Sequence, residues 1–390
     1  MEHSKLLKFY RGTARHFWTT VFSFMLIGIY ALIGLHLTFV NPFVEALKDF
    51  RMTDICYKMM AEEESHAITI VDLTDLYSRT DIAQTLHEIE SMNPRVIGLD
   101  CVFEGLKDDT IGNEMLIDVA STYDNIVYSC KVKEETIGGE RQIRSFFADS
   151  VAIPEGVTNM PRSLYGGVKR KLEHKWNCNG EKLTSMVDGV MKIYGDETER
   201  TGATNINFQP THFNVIQPYE VLSSRDLIEG RIVFFGAMAD EVDMHYTPLG
   251  KMPGVELLAY ATQTLIEQKA IWRLPWLLQL LLTVSLVILT EYLLTLYKYW
   301  TLHHKNPIIR HFVGSTYVIS LWQFLWIALL MYGVIICFTQ WYLDIDIGGA
   351  ASAIAMLSMG RSLRDAFEGY LREKKEKRNA SCSDSSNSRA

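Results

Sequence analysis

Six carboxylates fall at the ends of short runs of β-branched and aromatic residues. Asp72 and Asp75 lie in and just past AITIVDL (67–73), Asp100 and Glu104 in and just past RVIGLDCVF (95–103), and Asp240 and Asp243 follow RIVFFGA (231–237). Carboxylates gathered in one place can bind a cation, an ammonium group or sugar hydroxyls, or work as paired acid and base. The same residues also serve structurally, because Asp at a strand end caps the next helix or holds a loop through backbone N–H groups. Carboxylates within about 4–6 Å raise one another's pKa unless a cation or donor neutralises them. A cluster kept without buried lysines nearby therefore points to a ligand that is cationic or rich in hydroxyl donors.

Specific enzyme motifs are missing around this cluster. DLTD (72–75) has the look of an aspartyl-phosphate loop without its second Asp in the right place, and there is no GxSxG elbow, GxxxxGK[ST] loop or HExxH helix. GGERQ and YGGVKR are turn signals. His245 reads as a loop hydrogen-bonding residue before it reads as a metal ligand. No cofactor or metal is expected, and the reading is of a protein that is not an enzyme. The alternative is an extracytoplasmic metal-dependent hydrolase built on the acidic cluster.

The carboxylates need a scaffold, and the pattern around them alternates. Strand-like runs at 67–73, 95–103, 125–132 and 231–237 are interleaved with helical periodicity over Arg79–Met92, Ile111–Tyr123 and Val255–Gln268. Continuous Val/Ile/Phe runs alternating with helices specify an α/β domain with a parallel-type sheet and helices on both faces. Right-handed crossovers then bring the C-terminal ends of the strands to one edge, where open sheets bind their ligands. Residues 133–218 have no clean period and read as an insertion with irregular strands such as ATNINF (203–208).

Long apolar segments flank this domain. Phe17–Val40, Leu274–Tyr297 and Phe312–Phe338 each reach the roughly 20 apolar residues that a helical span needs, and 341–360 is a fourth with Asp344 and Asp346 at its interface. Lys5, Lys8, Arg11 and Arg15 precede the first; Lys298, Lys305 and Arg310 lie between the second and third; Arg361, Arg364 and REKKEKR follow the fourth. The positive-inside rule makes those segments cytoplasmic. The expected division is a basic N-terminus (1–16), an uncleaved anchor (17–40), an outer domain (41–273), three further spans (274–297, 312–338, 341–360) and a basic, Ser-rich tail (361–390). Both termini are expected inside, at a bacterial inner membrane. Residues 41–273 carry 23 Lys and Arg against 37 Asp and Glu, net −14, and the remainder is net +6, which returns the chain's −8. An acidic outer domain and a basic inner face suit a lipid bilayer and argue against nucleic acid as a partner.

Within the spans, Glu291 and His36 are expected to snorkel towards the interfaces. Gly348/Ser352 and Gly349/Ala353 set small residues four apart, a spacing for close helix packing inside the chain or in a homo-oligomer. The six cysteines show no CxxC spacing, and a disulfide among Cys56, Cys101, Cys130 and Cys178 is left open. The Ser-rich end, NASCSDSSNSRA, is expected to be disordered.

VDLTD, VIGLDCVFEG and RIVFFGAMADEVDMHYTPLGKMPGVELLAYATQTLIEQ, followed by three closely spaced apolar segments, resemble the second type of CHASE domain, a sensory extracellular domain associated with cyclases and histidine kinases. The resemblance spans about residues 15–360 and is most specific over the strand, TPLG, MPGVE and the helix after it. It implies an environmental sensor of undefined ligand, and no binding residue follows from it. Family members usually continue into a cytoplasmic output module. Here about 30 residues follow Gly360, so the expectation is a stand-alone sensor that signals through its membrane helices to a separate protein. RSLRDAFEGYLREKKEKR reads as an exposed or membrane-surface helix.

Overall fold

A computed structural model describes residues 15–29, 51–135, 139–161 and 167–387. They divide into an α/β unit, 48–272, and a helical unit formed by the two ends of the chain. The second half of the expected anchor, with His36, lies outside the described residues.

In the α/β unit, α1 (Met52–Met59) precedes β1 (Glu63–Asp72), α2 (Arg79–Ser91), β2 (Val96–Leu99), α3 (Thr110–Thr122) and β3 (Ile126–Glu135). Next come β4 (Gly139–Ile143), β5 (Glu155–Val157), β6 (Lys171–Glu173), β7 (Lys175–Cys178), β8 (Glu181–Thr184), α4 (Met186–Tyr194), β9 (Ala203–Asn205) and β10 (Thr211–Ile216). The unit closes with β11 (Ile232–Gly236), the hairpin β12 (Met244–Thr247) and β13 (Gly250–Pro253), and α5 (Gly254–Glu267). One sheet runs β10-β1-β11-β2-β3-β4, with β5 also on β3. Its pairings are parallel except β3–β4.

Local chemistry sets the helix boundaries. Ser78 Oγ accepts from Asp81 N at the start of α2, Asp109 accepts from Gly112 N at α3, and Ser185 accepts from Asp188 N at α4. The alternation along the strands fills both faces. Val71, Ile97, Leu99, Tyr128, Val233 and Phe235 pack with Ile82, Leu86, Leu116 and Val119 of α2 and α3 in one core. On the other face α5 packs on β1 and β11, and α4 on β2, β3 and β5. Each fully buried aliphatic of this kind stabilises by roughly 1.5–3 kcal/mol.

The segment 133–218 differs from the sequence reading. β10, inside the supposed insertion, is an edge strand of the main sheet, and α4 from the same segment covers one face. Its short THFNVI run is half exposed, as an edge strand is, and so lacks a buried-strand signature. β11, last of the main strands in sequence, inserts between β1 and β2.

In the helical unit, residues 15–29 are helical, followed by α6 (Trp276–Leu302), α7 (Thr316–Trp341), α8 (Gly348–Ala355) and α9 (Leu357–Asn387). Two helices among the described residues are long and apolar enough to cross a membrane, Trp276–Leu302 and Tyr317–Trp341. The segment 341–360 is helical only from Gly348, and α8 packs its small residues on α6 and α7 within the chain, with Ala350 and Ala353 fully buried. α9 runs on to Asn387 through the Ser-rich stretch expected to be disordered, propagated from the helix-forming Arg/Glu/Lys run before it.

Glu291 does not snorkel. It is 1 % exposed, accepts from Arg361 Nε at 2.7 Å, and has Arg364 Nη1 at 3.7 Å and His16 Nδ1 at 3.6 Å. Partners 70 residues away along the chain supply what a snorkelling side chain would take from solvent, which local sequence could not show.

Candidate functional site

Asp100 follows β2 directly, and its backbone N–H donates to Phe235 O of the neighbouring β11. Gly236, the last residue of β11, lets two elements close over the strand end: a Cβ there would lie 2.9 Å from Val255 Cβ and 3.1 Å from Asp100 Cβ. The strand ends thus meet the first turn of α5 with no side chain between them.

A cavity of about 190 Å³ opens at this edge, lined by Asp100, Lys131, Thr158, Asn159, Met160, Lys169, Asp243, His245, Gly254, Leu257 and Leu258. Lys131 follows Cys130 on β3, whose parallel partner β5 leads into Thr158 and Asn159. The Asn159 amide is clamped to β3, accepting from Val132 N at 2.7 Å and donating to Val132 O at 2.9 Å. Lys169 is held from both ends, its backbone N–H on Tyr246 O and its ammonium on Met160 O at 2.5 Å. Leu257 and Leu258 of α5 form the apolar wall.

Asp243 reaches the cavity from the loop before β12, with His245 Nε2 3.5 Å from its Oδ1. Its carboxylate lies at the first turn of α5, the end of a helix that favours negative charge. Burial first, and then the nearby Asp243 charge, push the Asp100 carboxyl up to about 6, against the opposing pull of Lys131 and His245. Thr158 also lines the cavity, and its Oγ1, closed off from solvent, has no hydrogen-bond partner among the described residues.

Of the six carboxylates singled out in sequence, the structure brings Asp100 and Asp243 together. Asp72 is spent on the fold. Although burial desolvates it, hydrogen bonds from Thr74 N, Thr74 Oγ1, Met238 N and Gln217 Nε2 hold its carboxyl below the ordinary value. Together with Thr74 Oγ1, which accepts from Met238 N and Ala239 N, it ties the β1 end to the loop after β11. Asp240 caps the following turn by accepting from Val242 N at 2.9 Å. Asp75 and Glu104 are exposed and outside the cavity lining.

Sequence reasoning missed Lys131, Lys169, Asn159 and Thr158. The two lysines overturn the premise of an acidic site free of cations. Lys131 carried a signal, because SCKVKE places it at the point where a buried strand turns polar. Lys169 carried none. Cys56, Cys101, Cys130, Cys178 and Cys337 are all free thiols. Among the described residues no group of three His, Cys, Asp or Glu side chains is placed to hold a metal.

Comparison with known proteins agrees with the resemblance seen in sequence. No curated protein and no solved structure matches. The CHASE2 domain matches residues 25–291, more than half of the chain, from within the N-terminal helical segment through the whole α/β unit and into α6. The chain belongs to the CHASE2 family of extracellular sensory domains.

Proposed function

We propose that this protein is a membrane-anchored sensor whose α/β unit faces outward and binds a small ligand in the strand-end cavity. The observation that carries the reading is the cavity itself, at the C-terminal edge of a parallel sheet, with charged groups from several elements lining one partly open volume. The relay runs through α5. Gly254, Leu257 and Leu258 of that helix line the cavity, and residues 268–275 alone separate it in sequence from α6. From α6 the signal passes to a separate protein, with the bilayer of a bacterial inner membrane, both termini inside, as the setting. Homo-oligomerisation through the membrane helices remains part of the proposal. A metal-dependent hydrolase gains no support from the donor set described above.

The test is to fill the cavity. Leu258→Trp in the full chain, reconstituted in nanodiscs, should abolish thermal shifts that a panel of small metabolites produces in the wild type. Equal shifts in both proteins would place ligand binding elsewhere.

A further inference from the structure

The cavity has an unusual charge balance for so small a volume. Two carboxylates, Asp100 and Asp243, and two ammonium groups, Lys131 and Lys169, line it together with His245. Among the described residues Lys131 has no hydrogen-bond or ion-pair partner, whereas Lys169 is committed to the Met160 carbonyl. The charges that line the cavity without a close ammonium–carboxylate pair are opposite in sign and on different elements: Lys131 on β3, Asp100 and Asp243 at the β2 end and the α5 first turn. A simple cation entering would meet Lys131, and a simple anion would meet two carboxylates. A sugar would find no Trp, Tyr or Phe ring to stack on, since the apolar wall is Met160, Leu257 and Leu258. At about 190 Å³, the volume lies below the roughly 300–1,000 Å³ of sites for drug-sized ligands.

Resting on the reading of this cavity as the sensory site, we propose that its ligand is a small zwitterion of the α-amino-acid class. The ammonium group lies between Asp100 and Asp243, the carboxylate meets Lys131, and the side group covers Met160, Leu257 and Leu258. His245, 3.5 Å from Asp243 Oδ1, steadies that carboxylate. An amphoteric ligand is the simplest one to leave every charged group in the cavity paired. Pairing matters most at Asp100, where an unpaired charge keeps its desolvation cost, and Lys131, which is exposed, contributes by its sign and position.

The pH behaviour follows. The groups facing Asp100 are Asp243, Lys131 and His245, and its carboxyl titrates near 6. Below that pH it is protonated and cannot pair with the ligand ammonium, so affinity should fall on acidification.

The experiment titrates the full chain in nanodiscs with glycine, alanine, serine, valine, glutamate and lysine. Ethylamine, putrescine, acetate, inorganic phosphate and glucose are run at equal concentration. At least one amino acid should raise the melting temperature, while ethylamine and acetate, which each carry one of the two charges, should not. Asp243→Asn and Lys131→Gln should each weaken that response about tenfold or more, as loss of a charged hydrogen bond does. Lys131 is exposed, so its substitution spares the fold even if Asp243→Asn does not. A response to ethylamine, putrescine, phosphate or glucose instead, lost in Asp243→Asn, would overturn the zwitterion and leave the cavity as the site. A response undiminished in both variants would overturn the cavity reading itself. Silence from all six amino acids would overturn the proposal.

Discussion

The Asp243 carboxylate lies against the backbone of Gly254, so closely that a Cβ on Gly254 would stand 2.2 Å from Oδ2. The glycine after Pro253 is thus required by a cavity-lining side chain. Its neighbour is the end of a short, movable side chain, so Gly254→Ala should push Asp243 aside at a stability cost below about 1 kcal/mol. The bulkier Gly254→Val should cost about 1–3 kcal/mol. Melting temperatures and ligand titrations of the two variants check this: Ala should lose ligand response while keeping most of its stability. An Ala variant with wild-type response would show that the position of Asp243 does not matter.

Two half-buried carboxyls set a pH dependence of known sign. Burial pushes Glu90 up to about 7, with Asn125 donating to it and Asp124 repelling it, and Asp100 up to about 6. A carboxyl whose folded pKa is raised favours the folded state when protonated, so its contribution is present at low pH and lost as pH rises through the folded value. Glu90→Gln and Asp100→Asn should therefore match wild-type stability near pH 4 and exceed it at pH 7.5, by up to about 3 kcal/mol each. Melting temperatures across pH 4–8 measure the difference. Variants that run parallel to the wild type throughout would contradict the assignment.

Glu291 with Arg361 and Arg364 joins α6 to α9, and His16 brings in the N-terminal helical segment. Removing one member strands the others at about 3–5 kcal/mol. Glu291→Leu and Arg361→Leu should each lower the melting temperature in detergent, and the double variant should lose clearly less than the sum, by about 1 kcal/mol or more. Strict additivity would mean that the pair contributes no coupling.

Orientation is checked at Arg141, exposed on β4. Arg141→Cys should react with a membrane-impermeant thiol reagent in intact cells. Reaction only after lysis would reverse the topology.

Much of the sheet was legible because buried parallel strands are written as continuous apolar runs, as in AITIVDL and RIVFFGA, and because Ser78 and Asp109 mark their helices. The helices α2, α3 and α5 begin and end within a residue or so of their sequence periods. β10 was hidden because an edge strand need not be apolar on both faces. The pairing of Asp100 with Asp243 depends on β11 lying beside β2, an order that the chain sequence does not record. Asp72 and Asp100 look alike in sequence, each ending a strand. Only the neighbours separate them: Thr74 and Met238 satisfy Asp72, while Asp100 faces a cavity.

Hydrogen exchange on the full chain in nanodiscs reports on the cavity walls and on α5 together. It is run with and without whichever compound of the titration panel gives the largest thermal shift. Expected is slowed exchange in four stretches, 98–101, 129–133, 156–160 and 243–258, continuing along α5 towards residue 267. Those stretches hold the cavity walls and the helix that leads to α6. Protection confined to other parts of the α/β unit, with these stretches unchanged, would contradict the strand-end cavity as the sensory site.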